Sequence, residues 1–281
     1  MNVFKLKSEL EAFLKLQKKE NKTIGFVPTM GALHRGHLSL IDSAKLKNSI
    51  VVVSIFVNPT QFDNSDDLKK YPKPLENDLK LLKQVKCDAV FLPDVDEIYS
   101  KKITSQNFDF DGLELEMEGK HREGHFDGVG TIVKKLFEII KPDNAYFGEK
   151  DFQQLQIIKK LVKKLNIPLK IIGLPILRED NGLAMSSRNS RLSEQHKKAA
   201  PFIYEVLRNA QQRFTSKTPK ELTLWVEEKF KNHKHLQLEY FTIAEEETLK
   251  TIENIQPNKN YRAFIAAYAG DVRLIDNIRL Q

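Results

Sequence analysis

Apolar residues along this chain fall into two rhythms that alternate up to about residue 175. Short apolar runs occupy residues 24–27, 50–57, 89–92, 145–147 and 169–172, most of them closed by Pro, Gly or Asn. The second, IVVVSIFV, is nearly continuous and rich in β-branched residues, as in a strand buried on both faces of a parallel sheet. Between the runs, apolar residues recur at helical spacing: Leu33, Leu38, Leu40 and Ile41; Leu75, Leu79, Leu82 and Val85; Ile132, Val133, Leu136, Phe137 and Ile140; Leu155, Ile158 and Val162. Strands alternating with helices predict an α/β fold with a doubly wound parallel sheet. Phe4, Leu6, Leu10, Phe13 and Leu14 predict an amphipathic helix from the first residues onward, without the apolar core of a signal peptide. Residues 103–110 read as a weakly specified strand. Pro28 and Gly31 end the first strand pattern, and residues 63–74 read as a surface loop.

The rhythm changes after the run at 169–172. Helical stretches at 194–213 and 219–231 precede strands at 236–243 and 262–268 and a last apolar run at 272–280. Helices followed by strands predict a smaller α+β domain. The expected division is residues 1–175 and 176–281, the second closing over an active site in the first.

Composition narrows the class. With 281 residues, 41% hydrophobic and 30% charged, the chain is globular, and no apolar run reaches the ~18 residues of a membrane span. Cys87, the single cysteine, excludes an internal disulfide framework, fits a reducing cytoplasm and lacks a nucleophile's surroundings. The net charge of +7 suits acidic ligands. No basic block is interleaved with aromatics, which argues against nucleic acid.

Candidate chemistry gathers where strands end. After the first strand, His34 and His37 flank Arg35 and Gly36 at a helix start, where unpaired N–H groups and the helix dipole favour phosphate. The bland alternative is a turn carrying surface histidines. Asn58 and Gln61 follow the second strand with neutral amides able to orient a hydroxyl or carboxylate, or simply to make a turn. Residues 118–130, EGKHREGHFDGVG, read as a mobile glycine-rich loop whose Lys120, His121, Arg122 and His125 could close over an anion before a helix beginning near Val129. After the run at 145–147, Gly148, Glu149, Lys150 and Asp151 repeat the strand–turn–helix arrangement; Lys150 is placed for phosphate oxygens, Asp151 for a helix cap, and Gln153 or Gln154 to face a cleft. Ser186, Ser187 and Arg188 form another phosphate grip or, equally, a turn with a cap.

Taken together, PTMGALHRGH, VSIFVNPTQF, GHFDGV, YFGEKDFQQL and MSSRN resemble the pantothenate synthetases, or pantoate–β-alanine ligases, across residues 23–192. The resemblance implies a Rossmann-like nucleotidyltransferase domain with a smaller C-terminal domain, in a cytoplasmic homodimer. It also implies formation of pantoyl adenylate from ATP and pantoate, then its capture by β-alanine, with Mg²⁺ held mainly through the ATP phosphates. Met30, Gly31, Ala32, Leu33, His34, Arg35, Gly36 and His37 match an ATP-binding segment, and His37 matches a proton donor. Gly148, Glu149, Lys150, Asp151, Leu177, Met185, Ser186, Ser187 and Arg188 match further ATP contacts. Gln61 matches a contact to pantoate and β-alanine and Gln154 one to pantoate, with Asn58 set beside them. His34, His37 and Lys150 carry the expected catalytic roles. Another His-x-Gly-His nucleotidyltransferase would share the histidines without needing the Gln61 and Gln154 amides. Two positions depart from the family pattern: Glu123 replaces a proline in Arg122-Glu123-Gly124-His125, and Lys73 replaces an arginine after Tyr71-Pro72.

Overall fold

A computed structural model describes residues 1–62, 65–99 and 102–280, and its chain divides into two compact units. The first comprises Met1–Glu149 and Gln153–Pro175; the second comprises Lys150–Phe152 and Ile176–Gln281.

The first unit is built on six parallel strands: β1 (Asn2–Phe4), β2 (Ile24–Thr29), β3 (Ile50–Ile55), β4 (Ala89–Phe91), β5 (Asn144–Gly148) and β6 (Lys170–Leu174). Their spatial order is β1-β4-β3-β2-β5-β6. From β2 the sheet grows one way through β3 and the other way through β5. A crevice therefore opens at the carboxyl ends of β2 and β5, where open α/β sheets bind ligands. Val27, Val51, Val53 and Tyr146 bury one sheet face against Leu40, Ile41 and Ala44 of the helix Arg35–Lys45 and Leu82 of the helix Leu75–Gln84. This is the Rossmann-like, doubly wound sheet expected from the alternating pattern.

Several local expectations are corrected. The first residues form β1 before the helix Lys7–Lys19 begins, because Asn2, Val3 and Phe4 pair with Ala89, Val90 and Phe91 at the sheet edge. β2 runs through Pro28 to Thr29; its ladder to β5 covers only Gly25 and Phe26, so the proline falls beyond that ladder. Residues 103–110 form no strand. Side chains satisfy alternate amides there: Gln106 N–H donates to Thr131 Oγ1, Phe108 N–H to Asp127 Oδ1 and Phe110 N–H to Glu114 Oε1. Part of the 63–74 stretch is the helix Ser65–Lys70, while Asp63 and Asn64 lie outside the described residues.

The glycine-rich stretch is also mostly helical, with Met117–His121 followed by His125–Ile140. Gly128 and Gly130 serve close packing, whereas Gly124 supplies a left-handed turn with φ 70°. A Cβ on Gly128 would lie 2.3 Å from the Thr60 carbonyl oxygen, and one on Gly130 would lie 3.0 Å from Phe108 and Phe110.

The second unit pairs β7 (Gln237–Glu245), β8 (Tyr261–Ala269) and β9 (Val272–Arg279) in one antiparallel sheet. Its core joins Phe241, Ile243, Tyr261 and Ile265 of the sheet to Ile203, Leu207, Leu222, Val226 and Phe230 of the helices Phe202–Arg213 and Pro219–Lys231. The helix expected at 194–213 is two helices, because Pro201 interrupts it after Glu194–Ala199. No helix among the described residues is long and apolar enough to cross a membrane.

Candidate active site

The turn after β2 is held from below. Thr29 Oγ1 donates to the Ser54 carbonyl oxygen at 2.8 Å and accepts from Gly31 N–H at 3.1 Å. Gly31 and Ala32 then take left-handed backbone angles, φ 83° and 49°, which reverse the chain and aim two successive amides downward. Both reach one carboxylate: Ala32 N–H donates to Asp78 Oδ2 at 2.8 Å and Leu33 N–H to Asp78 Oδ1 at 2.7 Å. Burial pushes the Asp78 carboxyl upward, and these two hydrogen bonds oppose the shift.

His34 then caps the helix Arg35–Lys45, its Nδ1 accepting from Gly36 N–H at 3.1 Å. In the neutral ring this bond puts the proton on Nε2. His34 lies against His37 with ring centroids 4.1 Å apart. Both imidazoles are half-buried and Arg35 is exposed. The pair thus stands at the N-terminus of the helix Arg35–Lys45, a position suited to an oxyanion.

The carboxyl end of β3 supports Gln61. Asn58, which is buried, donates from Nδ2 to Gln61 Oε1 and to the Gly128 carbonyl, each at 3.2 Å. Its Oδ1 accepts from Thr60 Oγ1 and Tyr99 OH. Burial raises the Tyr99 phenol, with the Thr60 and Asn58 bonds acting against it. Both ends of the Asn58 amide are thus engaged by protein partners. With Oε1 held by Asn58, the Gln61 –NH₂ group is directed to donate.

From the other side His125 Nδ1 lies 2.8 Å and Arg122 Nη2 3.2 Å from the Gln61 carbonyl oxygen. Arg122 Nη1 lies 3.2 Å from His125 Nε2. Because a guanidinium only donates, the bond requires Nε2 to accept and Nδ1 to carry the proton. Arg122 and His125 therefore support Gln61 through its carbonyl, with Glu123 in place of proline between them; Lys120 and His121 are exposed. Lys73 is exposed beside the buried Tyr71, which packs edge-on against Phe62 with centroids 5.8 Å apart.

Gln153 and Gln154 separate cleanly. Gln153 is buried and holds residues 113–118, its Nε2 donating to the Leu113 and Glu116 carbonyls and its Oε1 accepting from Glu118 N–H. Gln154 is half-buried. Cys87 is buried, which pushes its thiol up to about 12 and removes it as a nucleophile.

In the second unit, Lys150 belongs to the short turn Glu149–Asp151, with its Nζ 3.5 Å from Asp151 Oδ1. Leu177 is half-buried, its carbonyl accepting from Met185 N–H at 3.1 Å. Ser186 caps the turn Ser187–Arg191 by accepting from Arg188 N–H at 3.2 Å, so the hydroxyl is partly a turn element. Asn189 closes the same loop through Glu179 and the Ala184 carbonyl.

The family described as pantoate-beta-alanine ligase matches residues 2–279 of this chain. The chain belongs to that family. It is 58% identical over 281 residues to a pantothenate synthetase of Christiangramia forsetii, covering 100% of this chain and 99% of the relative. The crystal structure of pantothenate synthetase from Thermus thermophilus superposes with a TM-score of 0.91 at 37% identity, covering 100% of this chain and 99% of that one. A pantoate-beta-alanine ligase from Francisella tularensis, crystallised with β-γ ATP and β-alanine, matches with a TM-score of 0.83 at 39% identity, covering 100% and 98%. Asp78, Tyr99, Arg122 and His125 were not assigned these supporting roles from sequence. Only the buried position of Asp78 on an otherwise amphipathic helix carries any local signal.

Proposed function

We propose that the protein is an ATP-dependent ligase that joins pantoate to β-alanine through a pantoyl-adenylate intermediate. In the first step a pantoate carboxylate oxygen attacks the α-phosphorus of ATP; the α–β P–O bond breaks and pyrophosphate leaves. In the second, the β-alanine amine attacks the acyl carbon, a C–N bond forms, the acyl C–O bond breaks and AMP leaves with loss of an amine proton. Neither step needs a side-chain nucleophile, so the protein's work is positioning and charge stabilisation.

His34 and His37 are assigned to the phosphate oxygens, with His37 as proton donor. The backbone of Met30 to Leu33, with Arg35 and Gly36, lines the same nucleotide segment. Gly148, Glu149, Lys150, Asp151, Leu177, Met185, Ser186, Ser187 and Arg188 complete the nucleotide contacts. Lys150 meets charge that develops on the leaving pyrophosphate. Gln61, donating from its –NH₂, and Gln154 orient pantoate, and Gln61 also serves β-alanine. Asn58 acts through Gln61.

Among the described residues no group of three or more His, Cys, Asp or Glu is arranged to hold a metal ion. The family resemblance supports Mg²⁺ arriving on the triphosphate, whose charge it would neutralise. The family resemblance supports a homodimer in the cytoplasm, and the single cysteine agrees with that compartment.

The reading is carried by the His34–His37 pair at a helix N-terminus, in a chain that matches this family over residues 2–279. Incubation with Mg²⁺, ATP, pantoate and β-alanine tests it. AMP and pantothenate should form in equal amounts, and omission of pantoate should stop AMP formation. Adenylate transfer to a phosphorylated acceptor, without pantothenate formation, would place the protein among the other His-x-Gly-His nucleotidyltransferases.

A further inference from the structure

β9 carries two adjacent polar residues, Asp276 and Asn277, both buried in the second unit. Each is fully engaged with a different segment. Asp276 receives Arg178 in a forked pair, Nη1 to Oδ2 at 2.6 Å and Nη2 to Oδ1 at 3.0 Å. Burial pushes the Asp276 carboxyl upward, and the Arg178 fork opposes this and favours its ionised form. Arg178 begins the loop that leads to Ser186–Arg188, and it also donates to the Gly182 carbonyl at 3.1 Å.

Asn277 turns to the other segment. Its Oδ1 accepts from Arg262 Nη1 at 2.6 Å, and its Nδ2 donates to the Lys150 carbonyl oxygen at 2.9 Å. Because a guanidinium only donates, Arg262 fixes which end of the amide faces it and forces Nδ2 toward Lys150. Arg262 is itself held by Glu246, Nε to Oε1 at 2.9 Å. The guanidinium also lies 3.9 Å over the Phe152 ring. The segment Lys150–Phe152 is thus gripped at both ends, at its first carbonyl by Asn277 and at its last side chain by Arg262. This explains why these three residues pack with the second unit although both their chain neighbours belong to the first.

We infer that Asn277 is a positioning residue for Lys150, setting the backbone from which the lysine side chain reaches the leaving pyrophosphate. The inference rests on the nucleotide role proposed above for Lys150. Asn277 touches no reacting atom; it acts by removing the rotational freedom of one peptide. Its loss should slow the step that expels pyrophosphate and leave amide formation, in which no pyrophosphate leaves, largely intact.

Asn277→Asp separates the two functions of the amide. The carboxylate still accepts from Arg262, but its second oxygen faces the Lys150 carbonyl and cannot donate to it. Asn277→Ala removes both bonds and serves if the buried aspartate beside Asp276 prevents folding. Two measurements are made on the full-length chain. Hydrogen exchange without any ligand should rise at residues 149–152 in either variant. Single-turnover pyrophosphate release should slow about tenfold, the effect of one lost hydrogen bond. Amide formation from added pantoyl adenylate should change less than twofold.

Unchanged exchange at 149–152 overturns the inference regardless of activity. Increased exchange with wild-type pyrophosphate release, or an equal slowing of both half-reactions, also overturns it. A wild-type protein that releases no pyrophosphate, or a Lys150→Ala variant as fast as wild type, would instead overturn the reading of Lys150 and with it Asn277's part in catalysis. The exchange measurement still decides whether Asn277 grips the turn.

Discussion

Asp78 accepts the Leu33 amide at 2.7 Å across 45 positions of sequence, and so ties a helix of the first unit to the turn that begins the histidine pair. The neighbouring Ala32 amide shares the same carboxylate. In Asp78→Asn one of these two amides would face an –NH₂ group instead of an acceptor. A lost hydrogen bond to a charged group costs about 1.5–3 kcal/mol. If that loosening falls on the transition state, adenylate formation drops roughly 10- to 100-fold. Rapid-mixing assays of pyrophosphate release check this, with circular dichroism confirming the fold; an unslowed folded variant would contradict it.

The histidines themselves should matter more than their support. His34→Ala and His37→Ala are each expected to slow adenylate formation by roughly 10²–10³, the usual cost of one oxyanion donor. The double variant should remain folded, because neither ring belongs to the buried core. Wild-type rates in a folded double variant would remove the histidines from the mechanism.

Gln61 is expected to act on the hydroxy acid and not on the nucleotide. Gln61→Ala should weaken pantoate binding in calorimetric titration while ATP binding stays within about twofold. His125→Ala, which removes the 2.8 Å contact to the Gln61 carbonyl, should give the same pattern more mildly. Equal weakening of both ligands would make Gln61 a structural residue.

An exposed ion cluster gives a pH signature. Hydrogen bonds from Lys164 and Lys160 hold the Asp111 carboxyl down, from its ordinary 3.8 to about 2. Asp109 is lowered by Lys164 as well. A carboxyl depressed in the folded state stabilises fully above its ordinary value, and the contribution fades as pH falls through the folded one. The unfolding midpoint of Lys164→Ala should therefore lie slightly below wild type at pH 5, and the gap should close toward pH 2. The gap should also shrink in high salt, because these charges face solvent. A gap that persists at pH 2 would show that Lys164 acts through packing.

What was legible in the sequence was mainly local. The run IVVVSIFV announces a central strand, and the alternation of runs with helical spacings gives the doubly wound sheet. The candidate residues stood out because imidazoles, amides and lysine gather where strands end. The missing parts depend on contacts distant in sequence. β1 is a strand only because β4 offers an edge, and residues 103–110 are not a strand, their amides at 106, 108 and 110 being taken by Thr131, Asp127 and Glu114. Gly128 and Gly130 read as flexibility, yet they mark close approach of a helix to Thr60 and Phe108. Nothing local reveals that Tyr99 and Gly128 engage the Asn58 amide.

The order of events is the most direct test of the proposed chemistry. If the carboxylate is activated before the amine arrives, ATP and pantoate alone suffice for one turnover. Rapid-quench measurement of pyrophosphate, with Mg²⁺ and with β-alanine withheld, reads this step. The account predicts a burst of one pyrophosphate per site, followed by steady turnover only when β-alanine is added. Absence of any pyrophosphate until the amine is present would contradict an adenylate-first ligase.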